Sequence, residues 1–314
     1  MKYIIFCLFF ASLCSASEKN IAIIFPNSFD TSYSAVMNGA KESAKNAEIR
    51  LRKNFNIQTI YTPHESLSEK LQELKNKKIS GAIIYLEDSK QSALKEKINS
   101  LFAENFFVVL LNYDIPESKR IAFIGNDEDV TLRFILNKTR THNDFNDIAC
   151  YYLFHGNETE RMDIDEQKNY DGINASIFRK LFERFPSKNI FKSRTYSDFF
   201  TTYEKTLKQD DNFAVLIMSA DVLSNLPYIQ RNLDTRLVIA IGGNAQFYGL
   251  LKDATLDALI TNDYYGWGRI ASKLLIEKLS ENLDSESPIH LISPIIYTPA
   301  DLKKFTHDWT LWLR

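Results

Sequence analysis

Beyond the first seventeen residues, the chain alternates between short apolar runs and longer amphipathic stretches. The apolar runs are NIAIIF (20–25), IQTIY (57–61), GAIIYL (81–86), FFVVLL (106–111), IAFIG (121–125), DIACYYLF (147–154), FAVLIM (213–218), RLVIAI (236–241) and LDALIT (256–261). Most are continuous in β-branched, aliphatic or aromatic residues rather than alternating with polar ones. Strands of that kind are buried on both faces, as in a parallel sheet covered by helices. Between them the apolar period lengthens. Leu67, Leu71 and Leu74 recur at i, i+4 and i+7 within 65–77. Val36, Ala40 and Ala44 form one narrow stripe within 35–46, and Ile270, Leu274, Ala271, Leu275 and Leu279 a broad one within 268–280. Strand–helix alternation with short links predicts a doubly wound α/β fold. A first α/β set runs to about residue 125, and a second from about 127 to 262.

Sheets of this type carry ligands at the carboxyl ends of their strands. The segments to search for chemistry are therefore 26–33, 86–89, 112–117, 155–168, 219–221, 242–247 and 262–265.

The amino-terminal end has a different character. A short positive start, Met1-Lys2, precedes the apolar run YIIFCLFFASL (3–13). That run is shorter than the ~20 residues a membrane span needs. With the small residues Ser15, Ala16 and Ser17 after it, it reads as a cleavable export signal over 1–17. Cys7 and Cys14 each follow a bulky residue, which disfavours a lipid anchor, and the expected location is the periplasm. The mature chain then retains only Cys150, so it holds no internal disulfide; inside IACYYLF this thiol reads as core.

Composition narrows the function classes. The formal net charge is −2, where nucleic-acid binders are strongly basic. No glycine-rich dinucleotide fingerprint, phosphate loop, H-E-x-x-H or G-x-S-x-G motif occurs. The five His residues (64, 142, 155, 290, 307) are scattered without metal-ligand spacing. These absences favour binding over turnover, without cofactor or metal.

The strand-end segments are similar in order and spacing to those of type I periplasmic binding proteins of the ribose and galactose class, which share a fold with LacI-type repressors. The likeness covers essentially the whole mature chain. IAIIFPNSFDTSYSAVMNGAKESAK (21–45) resembles the opening strand, ligand loop and first helix, and LLNYDIPESKRIAFIGNDE (110–128) the strand, loop and first crossing into a second lobe. NYDGINASIFRKLFERFP (169–186), VLIMSADVLSN (215–225) and the stretch from Arg236 to Leu279 continue the match. The start of the chain reads as an export signal rather than a helix-turn-helix, which argues against a repressor.

The resemblance implies two doubly wound lobes: 18–126 with 263–292, and 127–262 with 293–314. A three-segment hinge is implied near 126–128, 262–264 and 291–294, closing on a small polar solute held between the lobes. Carried over position by position, it implies ligand contacts from Asp30, Ser32, Tyr33, Asn112, Tyr113, Gln167, Asp221, Asn244, Asn262 and Asp263. Gln167, Ala220 and Gly242 stand where pentose and hexose binders carry Arg, Asn and Asp, so the usual sugar site is altered. Two residues have simpler readings: Asp30 as a helix cap and Tyr33 as core. The implied partner is the permease of an ABC-type importer, or else a membrane sensor kinase or chemoreceptor, with the chain itself a monomer. The tail HDWTLWLR (307–314) places Trp309 and Trp312 on one helical face, which reads as a packing surface.

Overall fold

The computed structural model describes residues 18–26, 30–87, 92–141, 151–154, 177, 190–193, 213–217, 236–281 and 288–314. The chain separates into two compact units: residues up to Gly125 with Tyr265–His290, and Asn126–Tyr264 with Leu291–Arg314. It therefore passes from one unit to the other three times.

The first unit is built on β1 (Lys19–Phe25), β2 (Phe55–Tyr61), β3 (Gly81–Tyr85), β4 (Phe107–Leu111) and β5 (Ala122–Asn126). Its helices are α1 (Thr31–Leu51), α2 (Leu67–Asn76), α3 (Ser92–Ala103) and, much later in the chain, α6 (Tyr264–Glu281). The strand order is β11-β5-β4-β3-β1-β2, where β11 (Ile289–Ile292) straddles the boundary of the units. Strands β1 to β5 pair in parallel, with Ile21 opposite both Ile57 and Gly81. Their apolar runs are continuous because both faces are covered. Ala22, Ile24, Ala82, Ile84, Val108 and Leu110 meet Leu67, Leu71 and Leu74 of α2 and Leu94, Ile98 and Leu101 of α3 in one core cluster. The opposite face faces α1 and α6: Leu275 reaches Gly81, Trp267 lies beside Tyr85, and the Lys278 ammonium sits over the Phe107 ring at 5.4 Å.

Helices α1 and α6 touch backbone to backbone. A Cβ placed on Gly39 would come within 2.0 Å of the Tyr265 carbonyl oxygen, and one on Gly268 within 1.9 Å of the Val36 carbonyl oxygen. Only glycine permits that approach from both sides. The buried face of α6 includes Tyr264, Gly266, Trp267, Gly268, Ala271, Ser272, Leu275 and Ile276, while Ile270, Leu274 and Leu279 of the expected stripe are only half-buried.

In the second unit α4 (Glu128–Thr141) leads to β6 (Tyr151–Phe154), which pairs in parallel with β7 (Ile190–Ser193). Strands β8 (Phe213–Ile217), β9 (Arg236–Ile241) and β10 (Ala258–Thr261) pair in parallel, and β12 (Ile295–Tyr297) closes the edge antiparallel to β10. Because β6 runs beside β8, the succession β7-β6-β8-β9-β10 repeats β2-β1-β3-β4-β5 of the first unit. The two units thus share a strand order without any visible sequence repeat.

The C-terminal helix α7 (Leu302–Trp312) packs on β12 and on the short α5 (Tyr248–Lys252). Trp309 and Trp312 are both buried, with ring centroids 4.9 Å apart, and Phe305 meets Tyr297 edge-on at 4.9 Å. The tail is a packing surface, as its spacing predicts. Among the described residues no helix is long and apolar enough to cross a membrane.

Candidate ligand-binding segments at the strand carboxyl ends

In the first unit the chain leaves β1 through α1 toward β2, on one face of the sheet, and leaves β3 through α3 toward β4, on the other. Neighbouring β1 and β3 therefore send their connections apart, which opens a crevice at their carboxyl ends.

Asp30 is extended (φ −129°, ψ 146°) and caps α1. Its carboxylate accepts from the Ser32 amide at 2.8 Å and from the Thr31 hydroxyl at 3.4 Å. The cap ties up an amide that has no partner inside the helix. Ser32 follows on the buried side of the first turn.

Tyr33 is 5% exposed, so its ring is part of the wall. It stacks on Phe25, the last residue of β1, at 4.5 Å, and meets Tyr85, the last residue of β3, edge-on at 5.2 Å. The ring therefore locks the two strand ends together. Its hydroxyl donates to the Glu87 carboxylate at 3.2 Å. Glu87 is exposed, two residues beyond β3.

Asn112 adopts a left-handed backbone (φ 72°) just after β4, a conformation that asparagine tolerates better than most residues. The turn lets its side-chain amide donate to the Leu86 carbonyl at 2.8 Å, while its backbone amide donates to Ile124. Three strand ends are thereby fastened by one residue. Tyr113 packs half-buried against the core cluster. Beyond it, Arg120 is 6% exposed and donates to both oxygens of Asp114, from Nε at 2.5 Å and from an Nη at 2.6 Å. This fork holds the turn between β4 and β5.

In the second unit Gly242 takes φ +86° after β9. Asn244 is buried; its side-chain oxygen accepts from the Gln246 amide at 2.9 Å, capping a single 3₁₀ turn. Thr261, at the end of β10, donates its hydroxyl to the Gly243 carbonyl at 2.7 Å and ties β10 to the β9 turn. A Cβ at Gly243 would strike Leu259, so the turn must stay bare there. Asn262 and Asp263 follow, half-buried, and the Asn262 carbonyl accepts from the Tyr264 amide at 2.9 Å.

The structure thus gathers Asp30, Ser32, Tyr33, Asn112 and Tyr113 at the strand ends of the first unit, and Asn244, Asn262 and Asp263 at those of the second. Gln167, Ala220, Asp221 and Cys150 lie outside the described residues, as does the expected export signal. Glu87, Arg120 and Thr261 were missed in the sequence. Glu87 carried a signal nonetheless, as a charged residue directly behind the fully apolar run GAIIYL.

No protein-family profile matches the chain, and no curated protein sequence does. Solved structures do match. An ABC transporter solute-binding protein from Burkholderia graminis C4D1M, in complex with D-arabinose, aligns over 93% of this chain and 99% of its own with a TM-score of 0.69 at 14% identity. This chain has the type I periplasmic-binding-protein fold. The type I fold recurs in GanP, a glucose-galactose binding protein from Geobacillus stearothermophilus, over 91% of this chain and 99% of GanP (TM-score 0.62, 15% identity). The XylFII–LytSN complex contains it as well, over 90% of this chain and 99% of the matched one (TM-score 0.62, 18% identity). At these identities the type I likeness concerns the fold, and the ligand must be argued from this chain's own residues.

Proposed function

We propose that this chain is a periplasmic solute-binding protein that captures a small polar ligand, a sugar or polyol, between its two units by hinge closure and delivers it to an ABC-type importer. The observation that carries the reading is the triple passage of the chain between two α/β units, with polar clips fastening the turns behind β3 and β4 in the first and behind β9 and β10 in the second. Such clips hold backbone carbonyls and amides in fixed directions, which suits recognition of hydroxyls that are costly to bury unpaired. Solved proteins of this fold in complex with D-arabinose and with myo-inositol support the ligand class. One is an ABC transporter solute-binding protein and the other a carbohydrate transporter, which supports a binding role over catalysis. The expected export signal and periplasmic location belong to the same reading.

The ten residues carried over from the resemblance remain the proposed contacts, with Asn112 and Asn262 foremost. A ligand that prefers the native state must stabilise it, by about 2.7 kcal/mol at a hundredfold excess over Kd. For units of this size that is a rise of roughly 5–10 °C in melting temperature. A thermal-shift panel of neutral sugars and polyols on the purified protein is the test, and a panel without any such rise overturns the reading. Asn112→Ala and Asn262→Ala should then each weaken binding; full affinity in both removes the residue assignments.

A second reading has an observation of its own. XylFII, with the same fold, was solved together with LytSN, so presentation of the ligand state to a membrane sensor is the alternative to delivery. Co-purification with a permease, or with a sensor, from membranes of the source cell separates the two.

A further inference from the structure

The amino ends of the first unit's strands, opposite the crevice, carry charge of one sign. Helix α1 returns the chain to β2 through Arg52 and Lys53, and α2 returns it to β3 through Lys77 and Lys78. Strand β1 lies between β2 and β3 and begins at Lys19. Hydrogen bonds set the two turns on either side of it: the Lys19 amide donates to the Asn54 carbonyl at 3.0 Å, and the Ser80 amide to the Asn20 carbonyl at 2.8 Å. Arg52, Lys77 and Lys78 are exposed and Lys53 is half-buried. Of the carboxylates nearby, Glu73 pairs with Lys70 and Lys77, and Glu104 with Lys75, while Glu18 is exposed. Among the described residues Arg52, Lys53 and Lys78 have no carboxylate within ion-pair distance. A basic side chain behind a helix complements the helix dipole, which accounts for the charge but not for its exact seat. Arg52 and Lys78 take a left-handed backbone, with φ of 53° and 62°, where glycine or asparagine is the usual occupant. The chain keeps a cation at two turns whose backbone favours a residue without one.

The sequence ahead of β1 supplies a second observation. The apolar run 3–13, which lies outside the described residues, is joined to Lys19 by residues 14–18 alone. Fully extended, that link spans no more than about 20 Å. While the run sits in a bilayer, as the export reading requires before cleavage, the amino end of β1 is held within that distance of the lipid. We propose that this end of the first unit is a membrane-facing surface: Arg52, Lys53 and Lys78 rest against anionic lipid headgroups, and the carboxyl ends of the strands point away from the bilayer. The tether rests on the export reading; the charge does not, and neither depends on which solute the protein binds. The cations stand on turns two strands apart, a spread of about 10 Å, which suits a layer of headgroups rather than one fixed anion. Each Lys or Arg near such a surface strengthens binding by about fivefold. With a net charge of −2 the chain as a whole is not drawn to an anionic surface, so association requires this end to turn toward it.

Co-sedimentation of the purified protein with vesicles is the test. The vesicles are phosphatidylcholine alone, or phosphatidylcholine and phosphatidylglycerol in equal parts. At about 50 mM salt the wild type should bind the anionic vesicles at least ~100-fold more tightly than the neutral ones, and about 500 mM salt should remove the difference. Arg52→Asn/Lys53→Gln/Lys78→Asn removes the charges and places asparagine at both left-handed positions, so its melting temperature should hold. It should bind anionic vesicles about 100-fold more weakly than the wild type. Arg52→Gly/Lys78→Gly relaxes the same turns and should lose about 25-fold. Removing exposed lysines elsewhere, in Lys41→Gln/Lys252→Gln/Lys303→Gln, should cost no more than about 3-fold, because those charges stand farther from the lipid than salt lets them act.

Wild type that binds both kinds of vesicle alike overturns the proposal. So does wild-type affinity in the two variants of the Arg52 and Lys78 turns, or an equal loss in the variant altered elsewhere, which would make overall charge the cause. Heparin, offered as a soluble polyanion, is the last arm: protein that binds heparin and no vesicle has a basic end with a different partner, and the membrane assignment falls. The solute-binding reading stands or falls separately, on the thermal-shift panel.

Discussion

Arg120 illustrates how much one side chain can hold. It lies almost wholly inside the protein, and both oxygens of Asp114 receive its N–H groups. Removing one member of such a pair leaves the other charged and without its partner, which costs more than the pair contributes. Arg120→Ala should therefore lower unfolding free energy by about 3 kcal/mol, read from urea denaturation, with Arg120→Lys recovering only part because one ammonium cannot form the fork. Little of this was legible in the sequence, since Asp114 and Arg120 sit among other charges in YDIPESKR with nothing to mark which two face each other. Asp30 was legible as a cap, because a carboxylate before an amphipathic run has a local role. Asn112 was legible as a strand-end polar residue, while its left-handed backbone and its grip on Leu86 depend on the neighbouring strand.

At the scale of the element, the long apolar strands were readable because burial on both faces leaves an unbroken hydrophobic run. Strands β7, β11 and β12 were not, being three or four residues long; the residues of β11 and β12 are mostly exposed or half-buried. For α6 the length was readable, but its buried side was rotated, because Gly268 rather than a large apolar residue faces α1. The closeness of α1 and α6 gives a second prediction. Alanine favours a helix over glycine by about 1 kcal/mol, so Gly39→Ala or Gly268→Ala would stabilise an exposed helix. Here each new methyl group would meet a backbone carbonyl, and neither helix can move without uncovering the sheet. Either substitution should instead destabilise, by about 2–3 kcal/mol, seen as a lower melting temperature, with Gly→Ser no better.

At the scale of the whole molecule, Tyr297 and Tyr265 couple stability to alkaline pH. Tyr297 is fully buried and donates to Asp308 at 2.8 Å; burial first, then that hydrogen bond, pushes its ionisation far above the ordinary tyrosine range. Tyr265 is pushed up to about 12 by burial and by its hydrogen bond to Glu42. In the unfolded chain both titrate near 10. Above that pH the unfolded state has lost protons that the native state keeps, so stability falls as pH rises. Their contribution is complete below about pH 10 and, for Tyr265, is lost as pH climbs through about 12. By pH 11 Tyr297 alone should have cost about 1.4 kcal/mol of stability. Urea midpoints at pH 9 and pH 11 should differ less in Tyr297→Phe than in the wild type. The doubly wound class and the likeness to a binding-protein fold were readable at this scale, because strand order follows from connections that run in sequence. The residues that line the second unit's strand ends were readable only in part, since Thr261 acts through a carbonyl eighteen positions away.

The return of α6 to the first unit also sets an order of events during synthesis. Val36, Gly39 and Ala40 leave the ribosome early, and their cover, Tyr265 to Leu275, emerges roughly 200 residues later, a delay of about 10–40 s at ordinary elongation rates. Throughout that interval one face of the first sheet has α1 but lacks α6, and a nascent chain stopped anywhere within the second unit leaves the first unit unfinished. Completion of the first unit waits for the synthesis of α6.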